Sequence, residues 1–202
     1  DAANTATTKG TAIHETIESM LMHIPEKFHT EYAVVAKKAI VEIEKNLGIS
    51  GNTNICFGMA TGDYIGLFDH DDVLHPCVLF EYVKAINEQG ADYLYCDETT
   101  FKDGSIDNMI TLHFKPDFSI DNLRANNYIC HFSVFDRKLL EGMELFRTEF
   151  DGSQDHDMIL RLTKKAKNVV HVPKLLYYWR SHKGSVAADI SAKSYAIDAA
   201  KG

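Results

Sequence analysis

The sequence predicts an α/β fold in which a mostly parallel sheet carries helices on both faces. Two apolar runs, residues 64–68 and 92–96, have strand length and end in carboxylates, Asp69, Asp71 and Asp72 after the first, Asp97 and Glu98 after the second. Between them Pro76 opens and Gly90 stops a helical pattern, each standing at the helix end that tolerates it. Strand, helix and strand in that order make a βαβ unit, the connection that joins parallel strands. Asp103-Gly104 then marks a hairpin, with residues 106–112 returning as a small antiparallel element.

Taken in order, residues 1–10 are small and polar and are expected to be a tail. Ile13, Ile17, Met20 and Leu21 fall at helical spacing, as do Tyr32, Val35, Ala36, Ala39, Ile40 and Ile43, so two helices open the chain. Residues 46–52, with two glycines, read as a turn-rich connector before a short helix over 53–60. In the helix from 76 to 89, Leu79, Tyr82, Val83 and Ile86 are assigned to the inner face. Ser119 caps a short helix ending near Arg124, residues 128–135 are strand-like, 136–141 form a short helix and 146–152 a loop. A helix follows Ser153 with Ile159, Leu162, Thr163 and Ala166 inward, which puts Asp155 in its first turn. Residues 169–172 and 175–179 are read as two strands, and 187–202 as a tail or terminal helix. One domain is expected over 11–186, with 11–50 an atypical front.

Of the 202 residues, 45% are hydrophobic and 25% charged, a balance that argues against a disordered or fibrous chain. The net charge of −8 and the lack of any basic tract argue against a nucleic-acid partner. Cys56, Cys77, Cys96 and Cys130 form no Cys-x-x-Cys pair, so reduced thiols and a cytoplasmic location are expected. No window reaches the roughly 18 apolar residues of a membrane span. Any membrane association is therefore expected to be peripheral, at the inner face of the cell membrane.

Carboxylates crowded at the end of a buried strand repel one another unless a cation, water or helix-start amides compensate them. Asp69-His70-Asp71-Asp72 therefore suits Mg²⁺ or Mn²⁺ carrying a diphosphate, and equally suits a solvated loop in which Asp72 caps the following helix. Asp155, in a helix first turn, has amides and a dipole that favour its ionised form, as a general base requires. The alternative is that Asp155 or Ser153 simply caps the helix. Arg180 and His182, in a Gly- and Ser-containing loop, offer a guanidinium to a diphosphate and an imidazole to a metal. His131 and His171, in strand-like segments, are expected to satisfy local hydrogen bonds.

From Glu44 to about Ala187 the sequence resembles the inverting GT-A glycosyltransferases of the large bacterial family that contains rhamnosyl-, glucosyl- and galactosyltransferases of cell-wall and O-antigen polysaccharide assembly. The resemblance rests on Asn46-Leu-Gly-Ile-Ser50, Ala60-Thr-Gly-Asp-Tyr-Ile65, Phe68-Asp-His-Asp-Asp72, Asn126-Asn-Tyr-Ile-Cys-His131, Phe150-Asp-Gly-Ser-Gln-Asp-His-Asp157, Leu160-Arg-Leu162 and Tyr178-Trp-Arg-Ser-His-Lys-Gly-Ser185. Their order along the chain is more specific than any one of them. It implies a GT-A fold, a nucleotide-diphospho-sugar donor, a glycan or lipid-linked acceptor, and Mg²⁺ or Mn²⁺.

The same resemblance places Asp71, Asp69 and His182 at the metal, with Asp69 nearer the nucleotide ribose, Asp155 as the catalytic base and Arg180 on the diphosphate. Asn46, Asn127, His131 and Gln154 are expected to line the donor or acceptor site. Gln154 stands where the family writes Glu, and the family's strands ending in Pro-x-Tyr-Asn and Asp-Asp-Gly-Ser do not occur. Two other readings compete. Strand-Asp69-x-Asp71-x-Val73 also fits a phosphohydrolase of the haloacid-dehalogenase type, with Asp69 as nucleophile and Lys138 as the later lysine. The unusual front also fits a non-catalytic glycan- or metal-binding remnant.

Overall fold

The computed structural model describes residues 47–69, 71–102 and 104–181. The helices expected over 11–45, the 187–202 tail, Asn46 and His182 lie outside them. The chain divides into two compact units, Asp1–Thr61 and Gly62–Gly202. In the first, helix α1 (Gly48–Met59) takes in most of the expected connector. Asn52 Oδ1 accepts from the Leu47 N–H (3.1 Å) and Thr53 Oγ1 donates to the Ile49 carbonyl (2.8 Å), so side chains that signal turns in sequence here bond within and just ahead of the first helical turn.

The second unit contains β1 (Tyr64–Leu67), β2 (Val73–Leu74), α2 (Val78–Gln89), β3 (Tyr93–Lys102), β4 (Ser105–His113), α3 (Ile120–Ala125), β5 (Ser133–Asp136), α4 (Gln154–Lys165) and β6 (Val169–Arg180). Short 3-10 turns lie at Arg137–Leu140 and Thr148–Phe150. The sheet order is β1-β5-β3-β6-β2, and β4 pairs with the later part of β3 as the expected hairpin. This is the α/β sheet with flanking helices that the sequence predicts, but its pairing is mixed. Among the described residues β3–β6 is the parallel pair; β1 runs the same way, and β5 lies antiparallel between β1 and β3. The β1-α2-β3 unit thus has a strand inserted from much later in the chain, which local periodicity cannot reveal.

One strand, β6, replaces the two expected. Cys96 pairs with Val172 and Asp97 with Leu175, leaving Pro173 and Lys174 as a bulge, where a residue without an N–H is tolerated. β3 likewise runs on through Asp97 and Glu98, which are buried and hydrogen-bonded rather than standing in a loop. Expected strand residues 128–132 form a loop instead.

Alternation along β3 sends Leu94 and Cys96 to one face, where they pack with Val78, Tyr82 and Ala85 of α2, Val134 of β5 and Val170 and Val172 of β6. Tyr93 and Tyr95 take the opposite face, stacked on Phe135 and His171. The inner face of α2 is Val78, Tyr82 and Ala85, with Ile86 partly buried, whereas Leu79 and Val83 are exposed. The Tyr82 hydroxyl, donating to the Phe132 carbonyl at 2.7 Å, fixes that rotation. Ser119 caps α3 by accepting from the Asn122 N–H, and α4 buries Met158, Ile159, Leu162 and Thr163. Because β1 and β2 stand at opposite ends of the strand order, the chain crosses the strands between them on leaving β1 at Leu67 and returning at Val73. The carboxyl ends of β1 and β6 and the amino end of β5 meet beneath that crossing, the usual place for a ligand in an α/β sheet.

Candidate active site

Asp69 is exposed beyond the end of β1, while Asp72 is buried, with 6% of its surface accessible. Asp72 Oδ2 accepts from the Tyr177 hydroxyl and Oδ1 from the Arg180 N–H at 2.7 Å, so β6 holds the end of the acidic loop. Asp72 does not cap α2. The N-cap of that helix is Cys77, whose N–H donates to His75 Nδ1 at 3.1 Å. Burial raises the Asp72 carboxyl to about 6; the Arg180 N–H and Tyr177 hydroxyl oppose the rise, and Asp69 and Asp71 add to it. Arg180 Nε donates to the Asp71 main-chain oxygen at 2.5 Å, and its guanidinium lies 4.7 Å over the Phe101 ring.

His131 ends the loop before β5. Its ring stacks on Tyr177, with centroids 4.8 Å apart, and meets Trp179 edge-on. Its Nε2 lies 4.0 Å from Asp69 Oδ2. Ligand atoms of Asp69, Asp72 and His131 all fall within 4.8 Å of one another. Burial alone would lower the imidazole pKa, but Cys130, Asp69 and Glu98 outweigh it and carry it up to about 10. The three side chains fit a divalent cation: two carboxylates suit Mg²⁺ or Mn²⁺, the imidazole is a further donor, and the ion would neutralise the crowded like charges. This group shares Asp69 with the set expected from sequence. Asp72 and His131 join it, the Asp71 carboxylate is not part of it, and His182 lies outside the described residues.

The first turn of α4 supplies Asp155. Gln154 Oε1 accepts from the Gly152 N–H (2.6 Å) and its Nε2 donates to Asp155 Oδ2 (3.4 Å). His156 Nε2 bonds the Leu123 carbonyl, and Asp157 pairs with Arg147 and Arg161. Three neighbours thus fix the turn that presents Asp155. Ser153 makes no side-chain cap bond. Asp155 feels both His131 and Asp69: burial raises its pKa, Asp69 adds to the rise, and His131 and Gln154 oppose it. The expectation that the helix terminus favours the ionised carboxylate is corrected here, because burial outweighs the dipole.

Asn127 Oδ1 accepts from the Cys130 N–H at 3.3 Å and shapes the loop leading to His131. His171 makes local contacts as expected, 2.9 Å from Asp97 and 3.5 Å from Asp117. Lys138 follows β5, whose Asp136 pairs with Tyr64 at the start of β1. Asp69 lies beyond the other end of β1, so the two do not share a site and the phosphohydrolase reading loses its lysine. Tyr177 and Lys115 escaped the sequence reading. Tyr177 sits in an apolar strand, and Lys115 carries no local signal; only the folded chain brings Tyr177 to Asp72 and Lys115 to Glu98.

Residues 30–143 match the model of glycosyl transferase family 2. The chain belongs to that family. The chain is 39% identical over 165 residues to the uncharacterized protein y4gI of Sinorhizobium fredii, covering 80% of this chain and 18% of the relative. It is 35% identical over 137 residues to the O-antigen biosynthesis protein RfbC of Myxococcus xanthus, covering 67% of this chain and 10% of that one. The chain therefore spans less than a fifth of the length of these curated relatives. Among solved structures, S. aureus TarS residues 1–349 in complex with UDP-GlcNAc match with a TM-score of 0.57 at 17% identity, over 70% of this chain and 41% of that one. The fold is thus shared with a GT-A protein. Among the described residues, no helix is long and apolar enough to cross a membrane.

Proposed function

We propose that this family 2 chain carries the catalytic part of an inverting glycosyltransferase that moves a sugar from a nucleotide-diphospho-sugar to a glycan or lipid-linked acceptor. The observation that carries the reading is the electrostatic influence of Asp69 and His131 on buried Asp155, with Asp69 and His131 4.0 Å apart beyond the carboxyl end of β1, in a chain of this family. Asp155 takes the proton of an acceptor hydroxyl as its oxygen attacks the anomeric carbon. The bond from that carbon to the diphosphate breaks, and the nucleotide diphosphate leaves with the electron pair. The raised pKa of Asp155 makes it a stronger base at neutral pH than an exposed aspartate. Gln154 orients its carboxylate.

Asp69, Asp72 and His131 would hold a Mg²⁺ or Mn²⁺ ion, which supplies Lewis-acid stabilisation of the leaving diphosphate when bound. The resemblance assigns Asp71 and His182 to the same ion, and substitution of each belongs to the test. The bonds that hold Arg180 at the acidic loop through its N–H and Nε support a role for its guanidinium on the diphosphate. A cytoplasmic enzyme working at the inner face of the membrane accords with a lipid-linked acceptor. Calorimetric titration with UDP, GDP and dTDP, each with Mn²⁺ and with EDTA, tests the reading. Metal-dependent binding of one nucleotide, weakened in Asp69→Asn and His131→Ala, is the expected result. No binding of any of the three contradicts it and favours the non-catalytic remnant.

A further inference from the structure

We infer that Lys115 is a positioning residue for the candidate cation site, holding the loop that carries His131 against Asp69. Its side chain is buried at 4% exposure, as is that of its partner Glu98 in β3 at 5%. An ammonium group has three N–H donors. All three are occupied: by Glu98 Oε2 at 2.8 Å, by the Ile129 carbonyl at 2.7 Å and by the carbonyl of His131 itself. The root of the side chain is fixed too, since the Lys115 N–H donates to Asp97 Oδ1 at 2.9 Å. Two carbonyls of the 129–131 segment therefore converge on one cation, and Cys130 between them takes a φ of +42°. That grip sets the imidazole where it stacks on Tyr177 with Nε2 4.0 Å from Asp69.

A buried ion pair is a poor stabiliser compared with apolar side chains of the same volume, so stability alone does not account for this lysine. Three donors that meet one carboxylate and two carbonyls of a single loop do account for it. The role of the loop rests on the proposed cation site, and the position of His131 can be read without it.

Lys115→Met alone leaves Glu98 buried without its cation, so the informative variant is Lys115→Met combined with Glu98→Gln. Lys115→Arg is a second: it keeps the charge, but planar donors cannot converge on both carbonyls in the same way. In the metal-free protein, the His131 imidazole protons, identified by their loss in His131→Ala, carry the ring-current shift of Tyr177. Both variants are expected to move them toward the shifts of an exposed histidine. Unmoved resonances overturn the proposal.

With Mn²⁺ and UDP, GDP or dTDP in the calorimeter, the paired variant and His131→Ala should each weaken binding roughly 10-fold or more, and their combination should be no weaker than either. Additive losses overturn the action of Lys115 through His131. Equal metal-dependent binding by wild type and His131→Ala overturns the cation-site reading instead, and the imidazole shift still decides the positional role of Lys115.

Discussion

Replacing Asp72 with asparagine should stabilise the metal-free protein near neutral pH. Burial lifts this carboxyl from the ordinary 3.8 to about 6, so the folded state binds its proton more tightly than the unfolded chain does. The sign follows: its contribution to stability is full below 3.8 and is lost as pH rises through about 6. The rise corresponds to roughly 3 kcal/mol above pH 7. Asparagine is nearly isosteric and keeps both contacts, its carbonyl oxygen accepting from the Arg180 N–H while the Tyr177 hydroxyl turns to accept from the amide. Urea unfolding of both proteins in EDTA at pH 4, 5, 6 and 7.5 should show the variant about 2–3 kcal/mol more stable at pH 7.5 and matched to wild type at pH 4. Added Mn²⁺ should stabilise wild type selectively, because a cation that binds only the folded site offsets the cost of ionised Asp72. A variant less stable than wild type at pH 7.5, or a gap that does not change with pH, would refute the reasoning.

Gly66 lies where a Cβ would stand 2.7 Å from Phe132 Cζ and 3.3 Å from Val134 Cγ2. Gly66→Ala should therefore cost about 1–3 kcal/mol in urea unfolding and weaken Mn²⁺ binding by displacing the neighbour of His131; a loss below about 0.5 kcal/mol would show that Phe132 yields freely. Burial pushes the Asp157 carboxyl up, but Arg147 and Arg161 hold it below the usual range, so its stabilisation is present above the ordinary pKa and lost as pH falls through the depressed one. Asp157→Asn should cost about 2 kcal/mol at pH 7, a fall in Tm of roughly 4–8 °C, and the gap should narrow in acid; thermal unfolding at pH 7 and pH 3 checks both.

Local chemistry made part of this molecule readable in advance. The apolar run 64–68, the Pro76 and Gly90 that bracket α2, the hairpin pairing of β3 with β4 and the place of Asp155 in the first turn of α4 each follow from signals a few residues apart. What was missed depends on pairing across the chain. The rotation of α2 follows from the bond between Tyr82 and Phe132, and Asp97 and Glu98 stay within β3 because Lys115 satisfies both. Asp72 looked like a helix cap because its partners, Tyr177 and the Arg180 N–H, lie more than a hundred residues away. His131 read as a strand histidine for the same reason: the loop that carries it to Asp69 leads into β5, the strand inserted between β1 and β3.

The measurement that bears most directly on catalysis is a comparison of Asp155→Asn with wild type, both as the full chain. Calorimetry with Mn²⁺ reports binding of the preferred nucleotide, and release of nucleotide diphosphate from the matching donor and acceptor reports transfer. The amide keeps the shape of the carboxylate and removes its ability to take a proton. Nucleotide binding should stay within about threefold of wild type while transfer falls by roughly 100-fold or more. Equal transfer by the two proteins would contradict the assignment of Asp155 as the base.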